Sequence, residues 1–290
     1  MTERKMLMKK KKGLDKRRKY YMVLDCETAT LPFTANLSPE QRKTIAIAKP
    51  LIYDLGYTIV DKKGKIYKKK NFLISEIFSV PAVFDTAYYH DKKPLYLEKL
   101  KKGEIILKSW NEAIEAMIAD MEEVEAVGAY NAMFDFKKAI PFTEIYIENL
   151  YSDHFYDFMR KQETICQDLL NGKKKDKQTT FDKDNFLFRN EKKPLFDLWG
   201  LACQYLLNCD EYRAYCKAND FYSHSKGFYS TTAEKCYSFV AENTDFVEAH
   251  TALDDAEIES FIFQKIVQKA KNKVDIGIIY FPHRIVGKVE

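Results

Sequence analysis

Tyr20-Tyr21-Met22-Val23-Leu24-Asp25-Cys26-Glu27 is the stretch on which the fold reading turns. Its first five residues are apolar or aromatic strand formers, and the run stops abruptly at a carboxylate, the pattern of a buried strand. In extended backbone, residues two apart project to one face. Asp25 and Glu27 therefore leave the strand end together, while Cys26 turns to the opposite side. Two carboxylates so placed offer hard oxygen ligands to a divalent cation such as Mg²⁺ or Mn²⁺. A D-x-E tripeptide is also common as a plain solvated strand end, so its meaning depends on what the rest of the chain brings to it.

Outward from this strand, Leu51 to Val60 and Ile66 to Ile74 read as two more strands joined by the loop Asp61-Lys62-Lys63-Gly64, an antiparallel hairpin. Ser38-Pro39-Glu40-Gln41 and Ser109-Trp110-Asn111-Glu112 each place a serine three residues before Gln or Glu, the capping-box signature of a helix start. Behind the second, Trp110, Ile114, Met117, Ile118 and Met121 mark one helical face. Val124 to Tyr130 reads as a fourth strand followed by a helix from about Ala132. Leu195-Phe196-Asp197 reads as a fifth strand leading into a helix over Leu198 to Leu207. Ile258, Phe261, Ile262 and Ile266 give the buried stripe of a long helix near Asp254 to Ala270. Three strands followed by alternating helices and strands imply an α/β fold with a mixed five-stranded sheet flanked by helices. Insertions are expected near 85–108 and 150–194. The first is tyrosine- and lysine-rich without clear periodicity. The second centres on 171–193 with Lys173-Lys174-Lys175-Asp176-Lys177. Both read as solvated surface excursions.

Two further acidic motifs follow. Asn131-Ala132-Met133-Phe134-Asp135 sets Asp135 in the first turn of a helix, where the helix dipole favours a carboxylate with or without a metal. In His250-Thr251-Ala252-Leu253-Asp254-Asp255, Asp255 precedes Ile258 and Ile262 by three and seven residues and so lies on the buried stripe. An inward aspartate is costly unless paired or metal-bound. Asp254 is rotated away towards solvent. His250, just upstream, can reach the same place, and a histidine beside a buried acid is a candidate general base.

Taken in order, D-x-E, N-x-x-F-D and H-x-A-x-x-D resemble the three motifs of the DEDDh proofreading-type 3′→5′ exonucleases, of the ribonuclease-H-like superfamily. The resemblance covers roughly residues 18–140 and 195–270. It implies that Asp25, Glu27, Asp135 and Asp255 hold two Mg²⁺ (or Mn²⁺) ions and that His250 takes a proton from the attacking water. The expected product is a nucleoside 5′-monophosphate. It also implies that Thr28 and Asn131 contact the substrate. The family often continues D-x-E with Thr-Thr-Gly, whereas this chain has Thr28-Ala29-Thr30. Asp197 resembles a helix-starting aspartate found between the family's motifs, and it reads as structural. The substrate expected is a nucleic acid 3′ end, single-stranded DNA first, with the choice between DNA and RNA not readable from the sequence. An RNA-trimming exoribonuclease or other nuclease on the same fold, and a catalytically silent nucleic-acid-binding protein, are the alternatives. The intact set of four acids and a histidine argues against the last.

Composition agrees with such a partner. Of 290 residues, 46% are hydrophobic and 14% aromatic, enough for a large core. Ten of the 47 Lys and Arg lie in residues 3–19, against Glu3 and Asp15, so the net charge of +4 divides into a basic arm and a mildly acidic body. A basic arm suits contact with a polyanion, although a solubilising tail has the same composition. The organisation expected is a basic N-terminal arm over 1–18, an exonuclease domain over 19–270 and a C-terminal tail over 271–290, with Val274 to Phe281 as an edge strand or docking segment. The six cysteines form no C-x-x-C pair, which argues against a structural zinc site and suits reduced thiols in the cytoplasm. The apolar run after the basic arm is too short for a signal core, and no membrane span is expected. A polymerase or replication partner is not identified by the sequence.

Overall fold

A computed structural model describes residues 14–15, 17–173, 185–223, 227–271 and 281–289. Nearly all of the expected basic arm, most of the lysine-rich segment and most of the Val274 to Phe281 tail lie outside the described residues.

The strands are β1 (Tyr20–Ala29), β2 (Leu51–Asp61), β3 (Ile66–Ile74), β4 (Ile106–Lys108), β5 (Ala126–Ala129), β6 (Asn185–Phe188) and β7 (Glu191–Asp197), with a separate small pair β8 (Tyr222–Ser223) and β9 (Phe228–Tyr229). The helices of the first half are α1 (Pro39–Ala48), α2 (Ser75–Phe78), α3 (Pro81–Phe84), α4 (Lys93–Lys102) and α5 (Trp110–Met121). Then come α6 (Ala132–Phe134), a π-helical turn at Asp135–Ala139, α7 (Ile140–Leu150) and α8 (Phe155–Leu170). The second half holds α9 (Leu198–Ala202), a second π-helical turn at Cys203–Leu207, α10 (Asp210–Asn219), α11 (Ala233–Val240), α12 (Ala252–Lys269) and α13 (His283–Val286).

The large sheet runs β4-β3-β2-β1-β5-β7-β6, with β1, β2 and β3 antiparallel and β5 and β7 parallel to β1. The five expected strands are contiguous at its centre. Two edge strands bring the total to seven: β4 is only three residues long, and β6 lies in a polar stretch. Both expected capping boxes form, at Ser38 with Gln41 and at Ser109 with Glu112.

The period-2 pattern of β1 divides the core. Met22 and Leu24 face one layer, with Trp110, Ile114 and Met117 of α5 and Ile140 of α7. Tyr21 and Val23 face the other, with Leu198 and Leu201 of α9 and Ile258, Ile262 and Ile266 of α12. Phe263 takes the buried place expected of Phe261, whose ring instead lies half-buried beside Tyr237, 5.3 Å between centroids.

Two expectations are corrected. Residues 85–108 are not a solvated excursion. They hold α4 and β4, and Tyr96 is fully buried with its ring 5.7 Å from that of Tyr53. Short helical turns bury aromatics without a readable period. The stretch 150–194 is not one excursion either: α8 packs Phe155, Phe158 and Met159 on the core, and β6 and β7 join the sheet.

The site depends on how α12 meets β2. Gly56 stands opposite Asp25 in the β1–β2 register, and a Cβ there would lie 2.2 Å from the Leu253 backbone nitrogen. Contact that close with main chain cannot be relieved by a side-chain rotation. We expect Gly56→Ala to lower stability by about 1–3 kcal/mol, the usual scale of overpacking, read as a lower denaturant midpoint.

Candidate active site

Each acid reaches the end of the sheet by a different local route. Asp25 and Glu27 leave β1 on the face that α12 covers, as the alternation of Tyr21 and Val23 requires. Asp135 opens the π-helical turn after α6, on the other side of the sheet, where Phe136 and Ile140 enter the opposite core. Cys26 points to that side too, and its thiol donates to Asp135 Oδ1 at 3.0 Å. Asp255 lies in the first turn of α12.

The start of α12 is fixed from outside. Thr251 at its N-cap makes no side-chain cap bond, and the Ala252 amide instead donates to Asp54 Oδ2 of β2 at 2.9 Å. Asp54 is the register partner of Glu27, so one carboxylate ties the helix to the strand beside the acids. Asp197 plays a similar part on the other flank. It caps α9 through Gly200 (3.0 Å) and also accepts from the Ala132 amide (3.1 Å) at the start of α6. The structural reading of Asp197 fits this double cap.

These routes converge on one cavity of about 310 Å³, lined by Asp25, Glu27, Asp135, His250 and Asp255, the five residues singled out in the sequence, and by Asn131. Thr28 is half-buried on β1 after a register shift at Glu27/Thr28 and does not line it. Asp254 turns away, as expected, to accept from Lys99 (2.5 Å) and Thr251 (2.6 Å). Glu248, Glu259 and Tyr89 also line the cavity and were missed. Glu259 had a signal: it follows Asp255 by four residues and so shares its helix face. Glu248 and Tyr89 belong to loops without periodicity and had none.

The electrostatics are one-sided. Asp135 and Asp255 are each 4% exposed and Glu259 3%, and among the described residues the cavity lining contains no lysine or arginine. Burial pushes the Asp25 and Glu27 carboxyls well above the carboxylate range, and neighbouring acids push them further: Glu259 and Asp255 on Asp25, Asp255 and Asp54 on Glu27. Burial also carries Asp135 up to about 7, against the lowering effect of the Cys26 thiol. Asp255 rises to about 8 through burial and the nearby Glu248. His250 moves the other way, lowered by burial and then by the Lys92 ammonium, so it is neutral near pH 7.

The donor set fits divalent cations. Carboxylate or imidazole ligand atoms of Glu27, His250 and Asp255 lie within 4.8 Å of one another. Asp255 Oδ1 is buried and has no hydrogen-bond partner among the described residues, a costly state that an ion would relieve.

No protein-family model matches the sequence, and no curated protein matches it. Among solved structures the chain is similar to exonuclease I at 13% identity and TM-score 0.42, with 88% of this chain aligned to 42% of that one. It is similar to a 3′-exonuclease that recognises the histone mRNA stem-loop at 9% identity and TM-score 0.39, over 87% of this chain and 82% of that one. A third likeness is to cell-death related nuclease 4, at 11% identity and TM-score 0.34, over 87% and 64%. The chain thus spans less than half the length of the exonuclease I chain. Among the described residues, no helix is long and apolar enough to cross a membrane.

A stability prediction follows from the raised carboxyls. A group whose folded pKa lies above its unfolded value stabilises the fold fully below the unfolded value and loses that contribution as pH rises through the folded one. For Asp135 and Asp255 the unfolded value is 3.8 and the folded values are about 7 and about 8. The thermal midpoint of the metal-free protein should therefore fall as pH rises from about 4 to about 8. Added Mg²⁺ or Mn²⁺ should restore it most at the upper end, and Asp255→Asn should raise the metal-free midpoint at pH 8. Calorimetry across that range checks all three.

Proposed function

We propose that the chain is a metal-dependent 3′→5′ exonuclease that releases nucleoside 5′-monophosphates from single-stranded DNA ends. One observation carries the reading. Four acids and a histidine from three distant segments meet in one cavity whose buried Asp255 Oδ1 has no hydrogen-bond partner among the described residues. A cavity of about 310 Å³ is at the small end for ligand sites, which suits a chain end rather than an intact duplex.

Asp25, Glu27, Asp135 and Asp255 are the residues that would hold the divalent ions, whose chemistry is to neutralise charge at the attacking and leaving oxygens. His250 accepts a proton from water as the water oxygen bonds to phosphorus. The bond from phosphorus to the 3′ oxygen breaks in the same displacement. The electron pair leaves with that oxygen, which then gains a proton from solvent. The neutral form of His250 near pH 7 is the form this step needs. Asn131 on the cavity wall, and Thr28 beyond the bulge, are assigned to the terminal nucleotide.

Digestion of 5′-labelled DNA and RNA oligonucleotides tests the proposal. The native protein should give a 3′-shortening ladder on DNA that EDTA and Asp25→Ala abolish. Loss of His250 to alanine should slow the reaction by roughly two to four orders of magnitude, the scale of a general base. A circular single strand should resist. Cutting of the circle would mark an endonuclease instead, and binding without turnover in Mn²⁺ would mark a silent nucleic-acid-binding protein.

A further inference from the structure

Tyr89 belongs to the segment that lacked any readable period, yet it lines the cavity and lies flat on the His250 imidazole. Their ring centroids are 4.4 Å apart at an interplanar angle of 14°. On the loop before α12, Glu248 Oε2 stands 3.6 Å from His250 Nδ1. The backbone at His250 is unusual as well, with φ at +51° in a residue that is not glycine, a conformation that persists only where the surroundings impose it.

The surroundings here are specific. Lys92, three residues after Tyr89, donates to the Ala249 carbonyl at 2.5 Å, and its ammonium lies 4.6 Å from the centre of the Tyr89 ring. Lys99 of α4 donates to Thr251 Oγ1 at 3.1 Å and to Asp254 at 2.5 Å. The residues on both sides of His250 are thus tied to one segment, residues 89–99, which also supplies the ring beneath the imidazole.

We propose that Tyr89 and Glu248 are positioning residues for His250. Tyr89 fixes the plane of the imidazole, and Glu248 fixes its tautomer by keeping the proton on Nδ1. Nε2 is then the nitrogen left to take a proton from water. The inference rests on the proposed role of His250 as general base. Positioning of this kind is worth much in catalysis, because a misplacement of about 1 Å can cost on the order of 100-fold in rate. An acid that orients an imidazole through its far nitrogen works by holding the correct tautomer. The stack itself needs a flat ring and no hydroxyl, so phenylalanine should replace Tyr89 and leucine should not.

Two measurements test this separately. In NMR spectra of the full chain, the His250 ring protons, assigned by comparison with His250→Ala, should be displaced upfield by the Tyr89 ring. Tyr89→Phe should keep the displacement and Tyr89→Leu should remove it. The ¹⁵N shifts of His250 should show a single Nδ1–H tautomer in the native protein and a mixture in Glu248→Ala, which keeps the test available if Tyr89→Leu does not fold. On a DNA oligonucleotide with Mg²⁺, Tyr89→Leu and Glu248→Ala should each lower kcat by about 10- to 100-fold with KM nearly unchanged, and Tyr89→Phe should stay near native. Unchanged ring shifts in Tyr89→Leu, or a lost stack with kcat intact, would overturn the proposal. If the native protein cuts no nucleic acid, the exonuclease reading fails, and the NMR arm alone then decides whether the clamp exists.

Discussion

The docking of α12 against β2 is the constraint on which the site rests. The Asp54 carboxylate holds the first amide of the helix, and the missing side chain of Gly56 lets main chain approach main chain. About two turns further along the helix, Thr58 and Ser260 share a hydrogen bond of 2.6 Å. β2 is locked in register to β1, with Gly56 opposite Asp25 and Asp54 opposite Glu27. Any movement of the helix would therefore shift Asp255 and Glu259 relative to the two acids of the strand. The capping bond is structural, yet it sets distances between groups that never touch Asp54.

The fold gathers acids that repel one another, and among the described residues no basic side chain lines the cavity to balance them. Protonation or a bound cation are the two ways to relieve such a cluster. Asp135 accepts from the Cys26 thiol and Glu259 from the Tyr130 amide, whereas Asp255 Oδ1 has no hydrogen-bond partner among the described residues. Other buried acids are paired: Asp120 meets Lys68 and Lys70, and Asp197 caps two helices. The crowding of like charges in the cavity is a local conflict of the kind a functional site carries.

The central strands were legible because their patterns are long and periodic. β1 and its D-x-E end, the β2–β3 hairpin and the stripe of α12 all follow from spacing alone, and the stripe errs only in taking Phe261 for Phe263. Asp255 was legible because it lies on that stripe. Glu259 shares that stripe four residues after Asp255, but an acid does not register in a pattern of apolar residues. The segment around Tyr89 and Tyr96 was opaque for a different reason. Its helices are three to ten residues long, its aromatics are buried by tertiary contacts, and no period forms. The pairing of Cys26 with Asp135 spans 109 residues and joins β1 to a turn packed on the same face of the sheet, which spacing along the chain cannot reveal.

Asp197 ends β7 by holding the starts of both α6 and α9. The corner it makes lies beyond the β6–β7 pairing, which ends at Pro194. One carboxylate thus seats two helices at once, and the height at which Asp135 enters the cavity is set at the end of β7 and not within the β6–β7 pairing.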